Sequence, residues 1–200
     1  MKNFLFLILV LLVSVSFGQT AEEYFNQAKA KYELQHFKGA KANFTKAIEL
    51  DPAYAKAYDG RGVVKYELKD FKGAIADFTK AIELNPADGN ANFNRGNAKN
   101  ELKDYTGAIA DYTKAIELNP AYRNAYKNRG IPKIALQDYT GAIADFTKEI
   151  ELNPTHGDAY FMRGLAKYTL SDTEGACLDW NKAGELGYGD AYEYIKKYCN

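Results

Sequence analysis

The chain has 200 residues, enough for one domain or for one short array of repeats. Its hydrophobic content of 46% is ordinary for a packed protein, and its 26 basic residues are balanced by 26 acidic ones. This balance disfavours a nucleic-acid binder or a polybasic membrane-surface protein, because both need an excess of Lys and Arg to contact phosphates.

The first eighteen residues have the pattern of a secretory signal. Lys2 gives a positive start, residues 4–13 are an unbroken apolar run, and Ser16 and Gly18 are spaced like a signal-peptidase site. The alternative is an uncleaved membrane anchor, but the apolar run is well short of the ~20 residues that a spanning helix needs. We therefore predict a signal peptide at residues 1–18, and we expect export to the periplasm of a Gram-negative cell or to the extracellular space.

The rest of the chain repeats itself with a period of 34 residues, marked by columns of proline, small, leucine and aromatic residues. Such a fixed period is the signature of stacked supersecondary units. The columns are Pro52, Pro86, Pro120 and Pro154; Ala28, Gly62, Gly96, Gly130 and Gly164; Leu34, Leu68, Leu102, Leu136 and Leu170; and Phe44, Phe78, Tyr112, Phe146 and Trp180.

Each unit is predicted to form two helices. In the second unit, apolar residues at helical spacing predict a first helix that ends near Leu68, and Asp70 can cap a second helix. That helix should end before Pro86, because the residue preceding a proline is disfavoured in helical geometry. Gly62 weakens a helix interior, so we interpret its column as the place where the paired helices approach closely.

These columns, together with the segments at 58–62, 73–75 and 80–86, resemble the tetratricopeptide repeat (TPR) family over about residues 21–190. The resemblance implies an all-α, right-handed α-solenoid of five TPR helix-turn-helix repeats, whose first helices line a concave groove that holds partner proteins. The repeats are predicted at 21–54, 55–88, 89–122, 123–156 and 157–190, the last with a degenerate end, followed by a capping helix at 191–200.

The groove that the resemblance implies is aromatic at both ends and rich in amides in its middle. Asn can pair with both N–H and C=O groups of an extended peptide, and aromatic rings supply contact area at low entropic cost. The alternative is that these Asn residues are solvent-facing filler. The predicted partner-binding residues are Tyr66, Phe93, Asn94, Asn97, Asn124, Lys127, Asn128, Phe161 and Tyr168, flanked by Phe25, Lys29, Tyr32, Asp59, Val63, Asn100, Ile131, Ile134 and Leu165.

Two further columns carry opposite charges. We interpret them as a ladder of ion pairs between helices, because equal numbers at one period suggest pairing and Arg binds carboxylates bidentately. The alternative is a basic stripe for acidic ligands. The columns are Arg61, Arg95, Arg129 and Arg163, and Asp77, Asp111, Asp145 and Asp179.

The C-terminal end is predicted to close the array with a helix that Asp190 caps. Cys177 and Cys199 lie equally far on either side of Tyr188, so two antiparallel helices bring them to nearly the same height. We predict a disulfide between Cys177 and Cys199, with two buried free thiols as the alternative.

No catalytic constellation is evident. The two histidines, His36 and His156, are far apart, and we see no neighbours for them with metal-ligand spacing. Serine is scarce and phosphate-loop motifs are absent from the sequence. We therefore predict no enzyme activity, no cofactor and no metal.

Two departures in the fourth repeat have two open interpretations, a bend for binding or sequence drift. Pro132 lies inside a predicted helix, where it should cause a kink, and Glu149 replaces a small residue.

The predicted function is a non-enzymatic scaffold that binds a peptide or partner protein, with no nucleic acid and no membrane span after signal removal. The alternatives are a structural subunit of a cell-envelope complex and, with less support, a glycan or small-ligand binder. The oligomeric state stays open.

Overall fold

The computed structural model describes residues 19–199, which contain eleven α-helices and no strand. The predicted signal peptide, residues 1–18, lies outside the described residues. The helices are α1 Ala21–Glu33, α2 Phe37–Leu50, α3 Ala55–Glu67, α4 Phe71–Leu84, α5 Gly89–Glu101, α6 Tyr105–Leu118, α7 Arg123–Ala135, α8 Tyr139–Leu152, α9 Gly157–Thr169, α10 Thr173–Glu185 and α11 Ala191–Tyr198.

The helices pair in chain order, so each predicted repeat segment contains one helical hairpin. The second helix of each hairpin also packs on the first helix of the next. In addition, α1 touches α3, α3 touches α5, and α5 touches α7, so the first helices of repeats 1 to 4 form one continuous layer. The predicted all-α solenoid is confirmed. Within residues 19–199, no helix is both long and apolar enough to cross a membrane.

The turn inside each repeat has a left-handed residue at the same place, and in repeats 2 to 5 a capping aspartate follows it. In the second repeat, Lys69 takes a left-handed backbone with φ of 60°, and the Asp70 N–H donates to the Lys65 carbonyl at 2.8 Å. This is the pattern of a Schellman helix end. The Asp70 side chain then accepts from the Gly73 N–H at 3.0 Å, which confirms the predicted cap.

The glycine column is where paired helices meet. A Cβ atom added to Gly62 would lie 2.6 Å from the Phe78 ring, and one added to Gly96 would lie 2.8 Å from the Tyr112 ring. Both distances are well below van der Waals contact, so the interpretation of this column as a close approach is confirmed.

The C-terminal end matches the prediction in one respect and differs in another. Cys177 and Cys199 form a disulfide with a Cα–Cα distance of 5.6 Å, which joins α10 to the end of α11. The prediction that Asp190 caps α11 is wrong, since its side chain accepts no capping bond within residues 19–199. Its backbone is already helical, with φ of −62° and ψ of −23°, whereas a capping residue needs an extended backbone to turn its side chain back.

Pro132 lies inside α7, which runs from Arg123 to Ala135 as one helix. Its side chain is fully buried, so the ring serves as a packing element of the fourth repeat.

Candidate binding groove

Three adjoining clefts run along the layer of first helices. Their volumes are about 330, 150 and 160 Å³. Val63 lines the first and second clefts, and Tyr66 and Asn97 line the second and third, so the clefts are continuous. The first is lined by Phe25, Lys29, Tyr32, Glu33, Phe44, Lys56, Asp59, Gly60 and Val63; the second adds Tyr66, Glu67, Phe78, Asn94 and Asn97; the third adds Asn100, Glu101, Tyr112, Asn128 and Ile131.

A polar network holds the central part of this surface in place. The Asn97 Oδ1 atom accepts hydrogen bonds from the Tyr112 hydroxyl and from the Asn128 amide, both at 2.8 Å. The Tyr66 hydroxyl donates to Glu101 at 3.4 Å. Burial, followed by the charge of Glu101, raises the pKa of Tyr66, so this hydroxyl stays a donor at neutral pH.

The structure brings together four of the nine predicted groove residues: Tyr66, Asn94, Asn97 and Asn128. It places the other five outside these clefts. Asn124 is exposed, and its side-chain oxygen accepts from the adjacent Arg123.

The remaining four have partners of their own. Phe93 stacks on Tyr122, and Lys127 forms an ion pair with Asp158. Tyr168 is 38% exposed and packs on Trp180 and Tyr198 at the C-terminal end.

Phe161 is a core residue. It is only 6% exposed, because Tyr188 and Tyr194 cover it with ring-centroid distances of 4.8 and 5.0 Å. Its prediction as a groove wall therefore conflicts with its burial. Glu67 and Glu101 also line the clefts but were not predicted as groove residues. Their shared repeat column could have identified them.

One groove residue has unusual electrostatics. Asp59 accepts a hydrogen bond from the Asn94 amide at 3.2 Å. Burial, aided by the nearby charge of Asp88, raises the pKa of Asp59 to about 6, although the bond from Asn94 opposes the shift. The groove therefore gains negative charge just below neutral pH.

The predicted Arg–Asp ladder is confirmed, and none of its residues lines the three clefts. Arg61 donates two parallel hydrogen bonds of 2.8 Å to Asp77 in the same repeat, and a third bond of 3.3 Å to Thr45 in the preceding repeat. Lys65 also pairs with Asp77 at 2.7 Å. The same arrangement recurs at Arg95, Arg129 and Arg163. Because the guanidinium groups are mostly buried and paired, they form no free basic stripe.

The junctions between repeats alternate between two types. Phe25 stacks on Tyr54 and Phe93 stacks on Tyr122, with ring centroids 5.1 and 4.8 Å apart, and Phe161 stacks on Tyr188 in the same way. At the intervening junctions, the column that holds these phenylalanines has Asp59 and Lys127 instead. Aromatic junctions thus close repeats 1–2, 3–4 and 5–cap, and polar junctions lie between them.

The polar junction between the fourth and fifth repeats corrects a statement made from the sequence. His156 does have neighbours with metal-ligand chemistry: its Nδ1 lies 2.5 Å from Glu149 and 3.8 Å from Asp158. Asp158 in turn pairs with Lys127. The signal was present in the sequence, since Glu149 and His156 each differ from every other residue of their repeat columns.

Comparison with known families decides the classification. Residues 25–89 and residues 90–122 each match a model of the tetratricopeptide repeat family. The chain is a TPR protein. No curated protein matches this TPR chain by sequence.

Solved structures share the fold of this TPR protein. YrrB, described as a TPR protein with an unusual peptide-binding site, is 26% identical, with a TM-score of 0.78 over 88% of this chain and 92% of that chain. MamA is 24% identical, with a TM-score of 0.78 over 82% of this chain and 96% of that chain. PilF of Pseudomonas aeruginosa is 21% identical, with a TM-score of 0.73 over 84% of this chain and 76% of that chain.

Proposed function

We propose that this TPR protein is a non-enzymatic scaffold that binds an extended segment of a partner protein along α1, α3, α5 and α7. The observation that carries the proposal is the continuity of the three clefts through Val63, Tyr66 and Asn97. A single continuous groove across four repeats suits a peptide better than a compact small ligand.

The lining suits main-chain recognition in the centre of the groove. Asn97 Oδ1 is already occupied by two donors, so its amide nitrogen is the group left to donate to a peptide carbonyl. Phe25, Tyr32 and Tyr66 supply aromatic contact area on the N-terminal side. The similarity to YrrB, whose description names a peptide-binding site, supports this use of the fold.

The charge of the lining favours a neutral or basic segment. The acidic residues Glu33, Asp59, Glu67 and Glu101 outnumber the basic residues Lys29 and Lys56 in the three clefts. Like charges brought together at an interface cost binding energy, so an acidic tail would bind less tightly than a basic one.

The test is selection from a displayed peptide library, followed by measurement of the Kd for the best peptide. Asn97→Ala and Tyr66→Ala should each weaken binding by about tenfold or more. Lys114→Ala, a change at an exposed side chain of α6 outside the clefts, should leave the Kd unchanged. If groove variants and the control bind equally well, the peptide lies elsewhere and the proposal is wrong.

A structural-subunit role is the second candidate, and a row of exposed leucines favours it. One leucine at the turn inside each repeat is between 38% and 67% exposed, so the row follows one edge of the array. Substitution of these leucines would weaken packing of this edge in a complex and spare peptide binding in the groove. They are Leu34, Leu68, Leu102, Leu136 and Leu170.

We further propose that the protein works outside the cytoplasm. The pattern of residues 1–18 and the Cys177–Cys199 disulfide support this location, since such bonds persist in oxidising compartments. Fractionation of cells that express the full chain, with non-reducing electrophoresis, tests it; a reduced protein retained in the cytoplasm would contradict it.

A further inference from the structure

We propose that Glu149, His156 and Asp158 form a binding site for a divalent transition-metal ion at the junction between the fourth and fifth repeats, with Zn²⁺ as the ion that fits its donors. Each residue offers one ligand atom, and the three atoms lie within 4.8 Å of one another. Glu149 comes from α8, and the other two residues lie at the start of α9.

The spacing of these donors is within reach of one ion. Zn–N and Zn–O bonds of ~2.1 Å place tetrahedral ligands roughly 3.4 Å apart. His156 Nδ1 is 2.5 Å from Glu149 Oε1 and 3.8 Å from Asp158 Oδ1. For one ion to bind all three atoms, the separation of Nδ1 from Oε1 has to widen and that of Nδ1 from Oδ1 has to shorten. Small side-chain rotations are enough for both changes.

The strongest sign of a missing partner is the Glu149 carboxylate. Glu149 is 0% exposed, and its Oε2 atom has no hydrogen-bond partner within residues 19–199. The Asp158 Oδ1 atom is also buried and without a hydrogen-bond partner in that part of the chain. A buried polar oxygen without a partner is costly. A cation that binds both oxygens of the Glu149 carboxylate, and also the Asp158 Oδ1 atom, would satisfy the two unpartnered oxygens together.

Drift at a single position does not account for the cluster. The column of Glu149 holds Ala47, Ala81, Ala115 and Ala183 in the other repeats. His156 stands where Tyr54 and Tyr122 complete aromatic junctions, and Lys127 stands in the phenylalanine column. Three residues that differ from every other member of their columns therefore meet at one junction.

The donor set selects among ions. One imidazole and two carboxylates suit Zn²⁺ or a similar transition metal, whereas Ca²⁺ and Mg²⁺ prefer oxygen ligands alone. The cysteines are held in the disulfide, so the site offers no thiolate. The His156 side chain is 32% exposed, which gives the ion a route from solvent and leaves room for a water ligand.

Lys127 sets the affinity. Its ammonium group pairs with Asp158, and its charge opposes a second cation close by. We therefore expect a micromolar Kd in the native protein. Lys127→Met should tighten Zn²⁺ binding by about tenfold, because it removes this repulsion and keeps the length of the side chain. A purely structural ion-pair cluster predicts no tighter binding.

The experiment is calorimetric titration of the full chain with Zn²⁺ after removal of metal by a chelator. We expect one ion per chain. Glu149→Ala restores the residue of the other repeats and should fold well, yet it should weaken binding by more than about tenfold. His156→Ala should do the same, and His36→Ala, which removes the other histidine, should leave the titration unchanged.

X-ray absorption of the Zn²⁺-loaded protein gives a second readout that does not depend on stability. It should show nitrogen and oxygen ligands at ~2.0–2.1 Å and no sulfur. Absence of binding in the native protein overturns the proposal, as does binding that survives in Glu149→Ala or that requires His36. None of these results bears on the peptide groove.

Discussion

Arg95 holds Asp111 through two parallel hydrogen bonds of 2.9 and 2.7 Å. Asp111 is only 4% exposed. Without the Arg95 guanidinium, its buried carboxylate would be paired with one cation fewer and would keep the ion pair with Lys99. Arg95→Leu should therefore lower the free energy of unfolding by about 3 kcal/mol, measured by urea denaturation. The double variant Arg95→Leu/Asp111→Ala should recover most of the loss. Equal instability of the single and double variants would show that the pair itself is not the cause.

Gly96 is predicted to tolerate no methyl group. Gly96→Ala gains helix propensity, but its Cβ would lie 2.8 Å from the Tyr112 ring and force α5 and α6 apart. We expect a net loss of about 1–3 kcal/mol in thermal or urea unfolding. Gly189→Ala is the control, because no described atom lies within 4 Å of its added Cβ. A neutral Gly96→Ala would contradict the close approach.

Asp59 should make stability depend on pH. Its pKa is raised from 3.8 to about 6, so its contribution to stability is full below pH 3.8 and is lost as the pH rises through about 6. Asp59→Asn keeps an acceptor for Asn94 and should be more stable than the native protein above that pH, by about 1–2 kcal/mol. The two proteins should converge near pH 4. Asp51→Asn, at an exposed carboxylate, should leave the pH profile unchanged.

Reduction of the Cys177–Cys199 disulfide should destabilise the C-terminal end locally. The bond spans 22 residues, which corresponds to about 3 kcal/mol of lost loop entropy in the unfolded chain. Because repeats contact only their neighbours, faster amide hydrogen exchange should appear in α10 and α11 and not in α1 to α4. A uniform increase along the chain would mean that the array unfolds as one unit.

The fold could be predicted from the sequence because its determinants occur in every repeat. Gly62, Asp70 and Arg61 each perform a function that four or five copies repeat, so a single chain shows the pattern many times. The wrong predictions concern residues whose contacts occur only once in the array. Phe161 is buried by Tyr188 and Tyr194, which belong to the end of the array and not to the repeat. Glu149 and His156 differ from their columns, so periodicity alone gave no partner for either.

The groove could be predicted only in part for a related reason. Repeat position identifies the face on which Asn97 and Lys127 lie, but it does not say which side chains are already occupied. Asn97 lines the clefts, whereas Lys127 forms an ion pair with Asp158 on α9, the first helix of the next repeat. Such pairings depend on side-chain identities in two repeats at once.

Each aromatic junction has both of its rings within one 34-residue segment, as Phe93 and Tyr122 show in the segment 89–122. A tandem copy of the third repeat, inserted after the original, would therefore carry its own pair of rings and leave the original pair intact. Evolution or design can lengthen the array by a single hairpin without separating a stacked pair.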